Sequence, residues 1–231
     1  MVRPLGTPFF SALPRVFLGQ VHAARGEFAV ASAHFEEGLA IAREGDQYMT
    51  VRGAIDRLAE MDLLQGNAAV ALQRFEGVLD LSAIDEADIL LTGSLPTVAW
   101  AHLELGDLAE ARSLARRGME RAVAEHAAVD LLAAERVFAA AAGRQCLCEE
   151  AEAHFKQALA LARQIQYPYG QGLILYEWGR MLLAQGNRPQ ALGHLAGARD
   201  IFERLGALPY LRRTEALLSE SGGADFLASA S

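Results

Sequence analysis

Residues 178–198 read WGRMLLAQGNRPQALGHLAGA, and their spacing decides the fold. A large residue, Trp178, stands beside a small one, Gly179; a glycine follows at 186, an alanine at 191, a bulky residue at Leu195 and a small one at Ala198. Counting back along the chain in intervals of forty residues returns the same shape four more times. The turn column is Gly26, Gly66, Gly106, Cys146 and Gly186, and the alanine column is Ala31, Ala71, Ala111, Ala151 and Ala191 without exception. The bulky column is Phe35, Phe75, Ala115, Phe155 and Leu195, followed by Gly38, Val78, Gly118, Ala158 and Ala198. A fixed period without insertions marks stacked supersecondary units.

Each column has a physical reason. Glycine after a helical run supplies the left-handed backbone that ends a helix, so one helix of each repeat stops at the turn and a second starts two or three residues later. Alanine and the small residue seven positions on share one face of that second helix, where missing side chains let two helices approach closely. The first helices carry a matching large-small pair at Leu18 and Gly19, Leu58 and Ala59, Val98 and Ala99, Phe138 and Ala139, and Trp178 and Gly179. A more variable column, His22, Asp62, His102, Ala142 and Leu182, reads as a partly exposed edge.

Outward from the repeats, Pro189 fits the first turn of a second helix. Pro96, with Gly93 and Ser94 before it, lies inside the first helix of the third repeat or at its start and predicts a break or kink between residues 92 and 96, because a proline cannot donate to the carbonyl of Thr92. Residues 1–11 are read as an irregular segment or the remnant of a preceding repeat, 12–218 as one solenoid domain with a capping helix over 208–218, and 219–231, rich in Ser, Gly and Ala, as a disordered tail.

Composition bounds the function classes. With 231 residues the chain buries a core without disulfides or metal. The apolar fraction of 52% lies in short periodic groups, no run is long enough to span a bilayer, and the start lacks a secretory signal, so the expectation is a cytoplasmic protein. A net charge of -8 opposes binding to nucleic-acid backbones, and the pairs Arg116-Arg117 and Arg212-Arg213 read as solvated helix faces. The one lysine, Lys156, lies among helix formers with no glycine loop before it, which excludes a phosphate-binding loop of the Walker type.

The pattern large-small, then Gly, Ala, Phe and Ala at these intervals resembles the tetratricopeptide repeat (TPR), stretched to forty residues, over about residues 12–205. Cys146 at the turn and Ala115 at the aromatic position depart from it. That resemblance implies an all-α, right-handed superhelical solenoid of five helix-turn-helix repeats with a C-terminal capping helix. The stretched repeat, with a segment such as Ile201 to Ala207 followed by Arg212-Arg213 and a short final helix, is also similar to the repeat region of bacterial ATP-dependent regulators related to the maltose activator. In that family the repeats follow a nucleotide switch and often precede a DNA-binding domain. The resemblance therefore implies an effector-sensing, self-associating domain, either a fragment or a freestanding relative.

Candidate chemistry is sparse. Cys146 and Cys148 form a C-x-C pair with no evident further ligands, and read as two reduced thiols with no metal. His34, His154 and His194 recur at one repeat position and are a packing feature. No triad can be argued from order or spacing, no cofactor is expected, and an open solenoid lacks the water-excluding pocket of an enzyme.

A solenoid does offer a concave groove lined by the first helix of each repeat. By repeat position the groove residues are Gln20, Asp56, Glu60, Trp100, Glu104, Arg136, Arg144, Tyr176 and Arg180, with Tyr169 two turns before Tyr176. The list turns from acidic in the second repeat to basic in the fourth and fifth. Arg and aromatic residues dominate recognition, so the groove suits a protein or peptide segment with acidic groups. A pocket closed by Tyr167, Tyr169 and Trp100 around arginines would instead suit a compact anionic or sugar-like effector. Nucleic acid and membrane are not expected partners, and the uncapped first repeat invites self-association.

Overall fold

The computed structural model of the chain describes residues 8–76, 78 and 91–228, with side chains described within 12–76, 78 and 93–221. It contains α1 (Pro8–Ala24), α2 (Phe28–Glu44), α3 (Tyr48–Leu64), α4 (Ala68–Gln73), α5 (Leu91–Leu105), α6 (Leu108–Ala124), α7 (Ala128–Arg144), α8 (Cys148–Gln164), α9 (Pro168–Ala184), α10 (Arg188–Leu205) and α11 (Leu208–Ala228), and no strand among the described residues. This is an all-α solenoid of five helix pairs and a capping helix. Successive first helices, α1, α3, α5, α7, α9 and α11, touch one another and form an inner layer backed by the second helices.

The turns fall where the glycine column places them. Gly26, Gly66, Gly106 and Gly186 have φ between 74° and 86°, and Cys146 adopts the same left-handed conformation at 63°. Each closes the preceding helix by a bond across six residues, as when the N–H of Glu27 donates to the carbonyl of His22 at 2.9 Å and that of Leu147 to Ala142 at 3.0 Å. A second series of left-handed residues, Asp46, His126, Gln166 and Gly206, sits midway between them and ends the second helices. The forty-residue repeat is thus two twenty-residue units, a periodicity hidden because three of these four residues are not glycine.

The packing columns find their partners. All five column alanines are fully buried. A Cβ added to Gly19 would lie 2.5 Å from the Phe35 ring, and one added to Gly179 2.7 Å from Leu195 Cγ. The small member of each first-helix pair therefore receives the bulky member of its own second helix. His194 stacks on Trp178 and His154 packs on Phe138, so these histidines join the core; burial lowers the pKa of His194. In the variable column His22 and His102 are half-buried as expected, whereas Ala142 and Leu182 are fully buried and Asp62 is buried against Arg74.

Three boundaries differ from the sequence expectation. Of the break or kink expected between residues 92 and 96 the break does not occur, because α5 runs from Leu91 through Pro96 to Leu105. The Pro96 ring faces α6 at Gly118, where a Cβ would stand in ordinary contact, 3.9 Å from Pro96 Cδ. Helix α11 continues ten residues past the cap limit of 218, covering 219–228 of the segment expected to be disordered. Once the packed part of a helix is nucleated, each added residue gains a backbone bond without needing a core partner. Helix α1 begins at Pro8, inside the segment read as irregular, while 1–7 and 229–231 lie outside the described residues.

Candidate functional site

Helix α11 does more than cover the last repeat. Its Tyr210 ring stacks on Phe202 of α10, with centroids 5.2 Å apart, and meets Tyr169 and Tyr176 of α9 edge-on. One turn on, Arg213 reaches across the concave face and donates to the carbonyl of Leu64 at the end of α3, at 2.6 Å. Pro209 approaches the Gly26 turn, 3.6 Å from where a Cβ would stand. The cap therefore bridges both ends of the inner layer and divides the concave face in two.

On one side lies a chamber of about 110 Å³ whose walls come from α3, α5, α7, α9 and α11. Its polar groups are Arg57 and Glu60 of α3, Asp130 and Arg136 of α7, and Tyr167 beside α9, with Trp100, Tyr169 and Tyr210 among the aromatic walls. Arg57 donates to Glu60 Oε2 at 2.5 Å and to Asp56 Oδ2 at 2.8 Å, and these carboxylates, Glu60 above all, raise the pKa of its guanidinium. Burial pushes the Glu60 carboxyl up to about 7 against the opposing pull of Arg57. Burial also raises the carboxyl pKa of Asp56 and Asp130. The phenol pKa values of Tyr167, Tyr169 and Tyr210 are raised by burial as well, so all three stay neutral hydrogen-bonding groups.

On the other side a wider cavity of about 320 Å³ runs past Leu63, Trp100, Glu104, Tyr176, Arg180 and Arg213. Here Arg180 pairs with Glu177 at 3.1 Å and lies over the Tyr176 ring at 5.7 Å. Arg144, in an adjoining recess with Arg180, pairs with Glu104 at 3.0 Å and donates to the Leu103 carbonyl at 2.6 Å. The basic end read from sequence is therefore neutralised by its own carboxylates, except at Arg136.

Glu60, Trp100, Arg136 and Tyr169 meet in the chamber; Trp100, Glu104, Tyr176 and Arg180 line the wider cavity, and Arg144 lines the adjoining recess. Asp56 is buried behind Arg57, and Gln20 is half-buried in the first repeat, away from both cavities. Sequence reasoning missed Arg57, Asp130, Tyr210 and Arg213. Arg57 stood next to two acidic groove positions that it bridges, a spacing that signals a local ion pair. Tyr210 and Arg213 lie on the cap, and no repeat column points to a cap that crosses the groove.

Among the described residues no cluster of His, Cys, Asp and Glu could hold a metal ion, and no helix is long and apolar enough to cross a membrane. Cys146 and Cys148 are free thiols.

No family model matches the chain, and no curated protein matches it. Solved structures do. Aspartyl phosphate phosphatase F from Bacillus subtilis aligns over 96% of this chain with a TM-score of 0.61 and 16% identity, and the chain spans 61% of its length. A Podosopora anserina protein of nearly identical TPR-like repeats, described as a kinesin light chain, aligns over 85% of this chain and 97% of its own, with a TM-score of 0.53 and 20% identity. A point variant of that protein gives 0.53 and 19% over 82% of this chain and 93% of its own. At such identities the likeness is one of fold, and the fold is a TPR-like helical repeat.

Proposed function

We propose that this chain is a non-catalytic recognition module that holds a protein or peptide segment against its concave face. The observation that carries the reading is the wider cavity, where Trp100, Tyr176, Arg180 and Arg213 come together from three inner helices. Aromatic and Arg side chains in a recess are the usual anchors of a binding surface. Arg180 and Arg213 each lie over a tyrosine ring, and the donors they do not spend on Glu177 and on the Leu64 carbonyl are left for a carboxylate of the ligand.

Selection of a displayed random heptapeptide library on the protein tests this. Enriched peptides should carry Asp or Glu, and Arg180→Ala should weaken the best of them by about 1.5–3 kcal/mol, the worth of a charge-assisted hydrogen bond. Undiminished affinity in that variant, with an unchanged circular dichroism spectrum, would move the site off the concave face.

A second reading is an effector-sensing repeat domain of the maltose-activator type. One observation favours it: α11 contributes Tyr210 to the chamber wall, so a molecule held there would bear directly on the Tyr210–Tyr169 contact of the cap.

A further inference from the structure

The chamber contains a guanidinium and a carboxylate that are left apart. Arg136 is only 5% exposed and lies over the Trp100 ring at 5.2 Å, yet it donates to no acceptor among the described residues. It lines the chamber, so its donors meet the enclosed space. Guanidinium carries five N–H donors, so Arg136 has donors to offer a ligand that enters the chamber. Asp130 lines the same chamber from two turns earlier on α7 and forms no ion pair with any described base. Six residues along a helix is a rise of about 9 Å, so the two charges reach the same space from different turns of α7. Arg57 acts on Asp130 through its charge alone, since its hydrogen bonds go to Asp56 and Glu60.

We propose that the chamber binds a single amino-acid-sized zwitterion, its carboxylate held by Arg136 and its ammonium group by Asp130. A ligand with one charge satisfies only one of these two groups. An uncharged ligand satisfies neither, and polar groups of a binding site left unpaired cost affinity. The volume of about 110 Å³ is enough for a molecule the size of a small free amino acid. Trp100, Tyr167 and Tyr169 supply the faces that flank the ammonium and the short carbon chain, aromatic rings being favourable neighbours for both. This inference rests on the second reading, in which the chamber holds a small effector.

The test is calorimetry and thermal shift on the full chain, with L-alanine, L-proline, β-alanine and γ-aminobutyrate as probes. Sodium acetate and methylammonium chloride at equal concentration serve as single-charge controls. At least one zwitterion should bind and raise the melting temperature, while acetate and methylammonium together do not. Arg136→Gln should weaken that binding at least tenfold, and Asp130→Asn, at a partly exposed position that tolerates substitution, should do the same. The surface variant Glu37→Ala should bind as the parent does. Absence of binding by all four zwitterions overturns the proposal, as does acetate binding as tightly as the best of them. Unchanged affinity in a folded Asp130→Asn protein also overturns it. Helix release reports separately on the effector reading: if a zwitterion binds but leaves proteolysis of α11 unaltered, the site stands and the sensing reading fails.

Discussion

The two ends of the solenoid carry the same repeat yet meet different surroundings. Leu18 and Val21 of α1 are 44% and 49% exposed, whereas Leu58 and Met61, at the same positions one repeat later, are 1% and 4% exposed. Phe17 is exposed beside them, while Thr97 and Val137 at its position are buried. At the far end Tyr210 and Thr214 of α11 are buried against the fifth repeat. Among the described residues, contacts within a repeat therefore recur at every column alanine, and contacts between repeats are made at Leu58 and Met61 and by the cap but not at Leu18 and Val21. A quasi-one-dimensional array has this property, its stability being a sum of repeat and interface contributions.

The largest effects should come from interfaces that exist at one end and not the other. Tyr210→Ala removes a buried ring that touches three aromatic neighbours and should cost about 3–5 kcal/mol. Leu58→Ala should cost about 2–5 kcal/mol, and Leu18→Ala less than about 0.5 kcal/mol. Urea unfolding followed by circular dichroism measures all three, and equal losses at Leu18 and Leu58 would remove the distinction between the ends. The Tyr210 hydroxyl is buried without a hydrogen-bond partner among the described residues, so Tyr210→Phe should be neutral or slightly stabilising.

Within-repeat contacts should be indifferent to position. Ala31 in the first repeat and Ala151 in the fourth are both fully buried where two helices meet. Replacing either by Leu should destabilise by about 1–3 kcal/mol through overpacking. A markedly milder effect at Ala31 than at Ala151 would mean that the open end is loose throughout, beyond its unpaired face.

These two classes of contact differ in how plainly they are written in the sequence. Within-repeat packing is legible because the same constraint recurs five times: Gly19, Ala59, Ala99, Ala139 and Gly179 must all be small to admit the second helix. The second series of turns was not legible, since Asp46, His126 and Gln166 take a left-handed conformation without being glycine. Its signal is the spacing, twenty residues from each glycine, and not a residue type. The groove list located most of the concave face because inner-layer positions follow the repeat. Its electrostatics could not follow: whether Arg136, Arg144 and Arg180 are free depends on carboxylates forty residues away or one turn along, and on a cap that no repeat encodes.

The interior acid cluster separates the middle of the molecule from its ends by pH. Glu60 has its carboxyl pKa raised to about 7 from 4.5, and burial raises Asp56 and Asp130 in the same direction. The folded state thus holds these protons more tightly than the unfolded chain does. Stability contributed here is fully present below about pH 4.5 and is lost as the pH rises to about 7. The Glu60 side chain is one-third exposed, so screening reduces the effect to about 1 kcal/mol. Glu60→Gln should flatten that slope between pH 4.5 and 7, and an unaltered slope would place the proton elsewhere.

The smallest expected change tests whether surface charge distinguishes the ends at all. Arg15 and Glu37 pair at 3.1 Å within the first repeat, with both side chains about half in solvent. Such a pair gains little in high dielectric and loses side-chain entropy, so Glu37→Ala should shift stability by less than about 0.5 kcal/mol. Arg112 makes a different pair: it crosses from α6 to α8, donates to both oxygens of Glu150 at 2.7 and 2.9 Å and to Gln145 at 2.8 Å, and lies over the Phe138 ring at 4.8 Å. That pair is charge-assisted, partly desolvated and joins two repeats, so Arg112→Ala should cost about 1–2 kcal/mol. Because Arg112 ties one repeat to the next, its loss should also speed unfolding of the C-terminal repeats, read as faster hydrogen exchange in α8 than in α2. Exchange accelerated equally in both helices would mean that the five repeats open as one unit, and that the contrast between the ends concerns burial without concerning cooperativity.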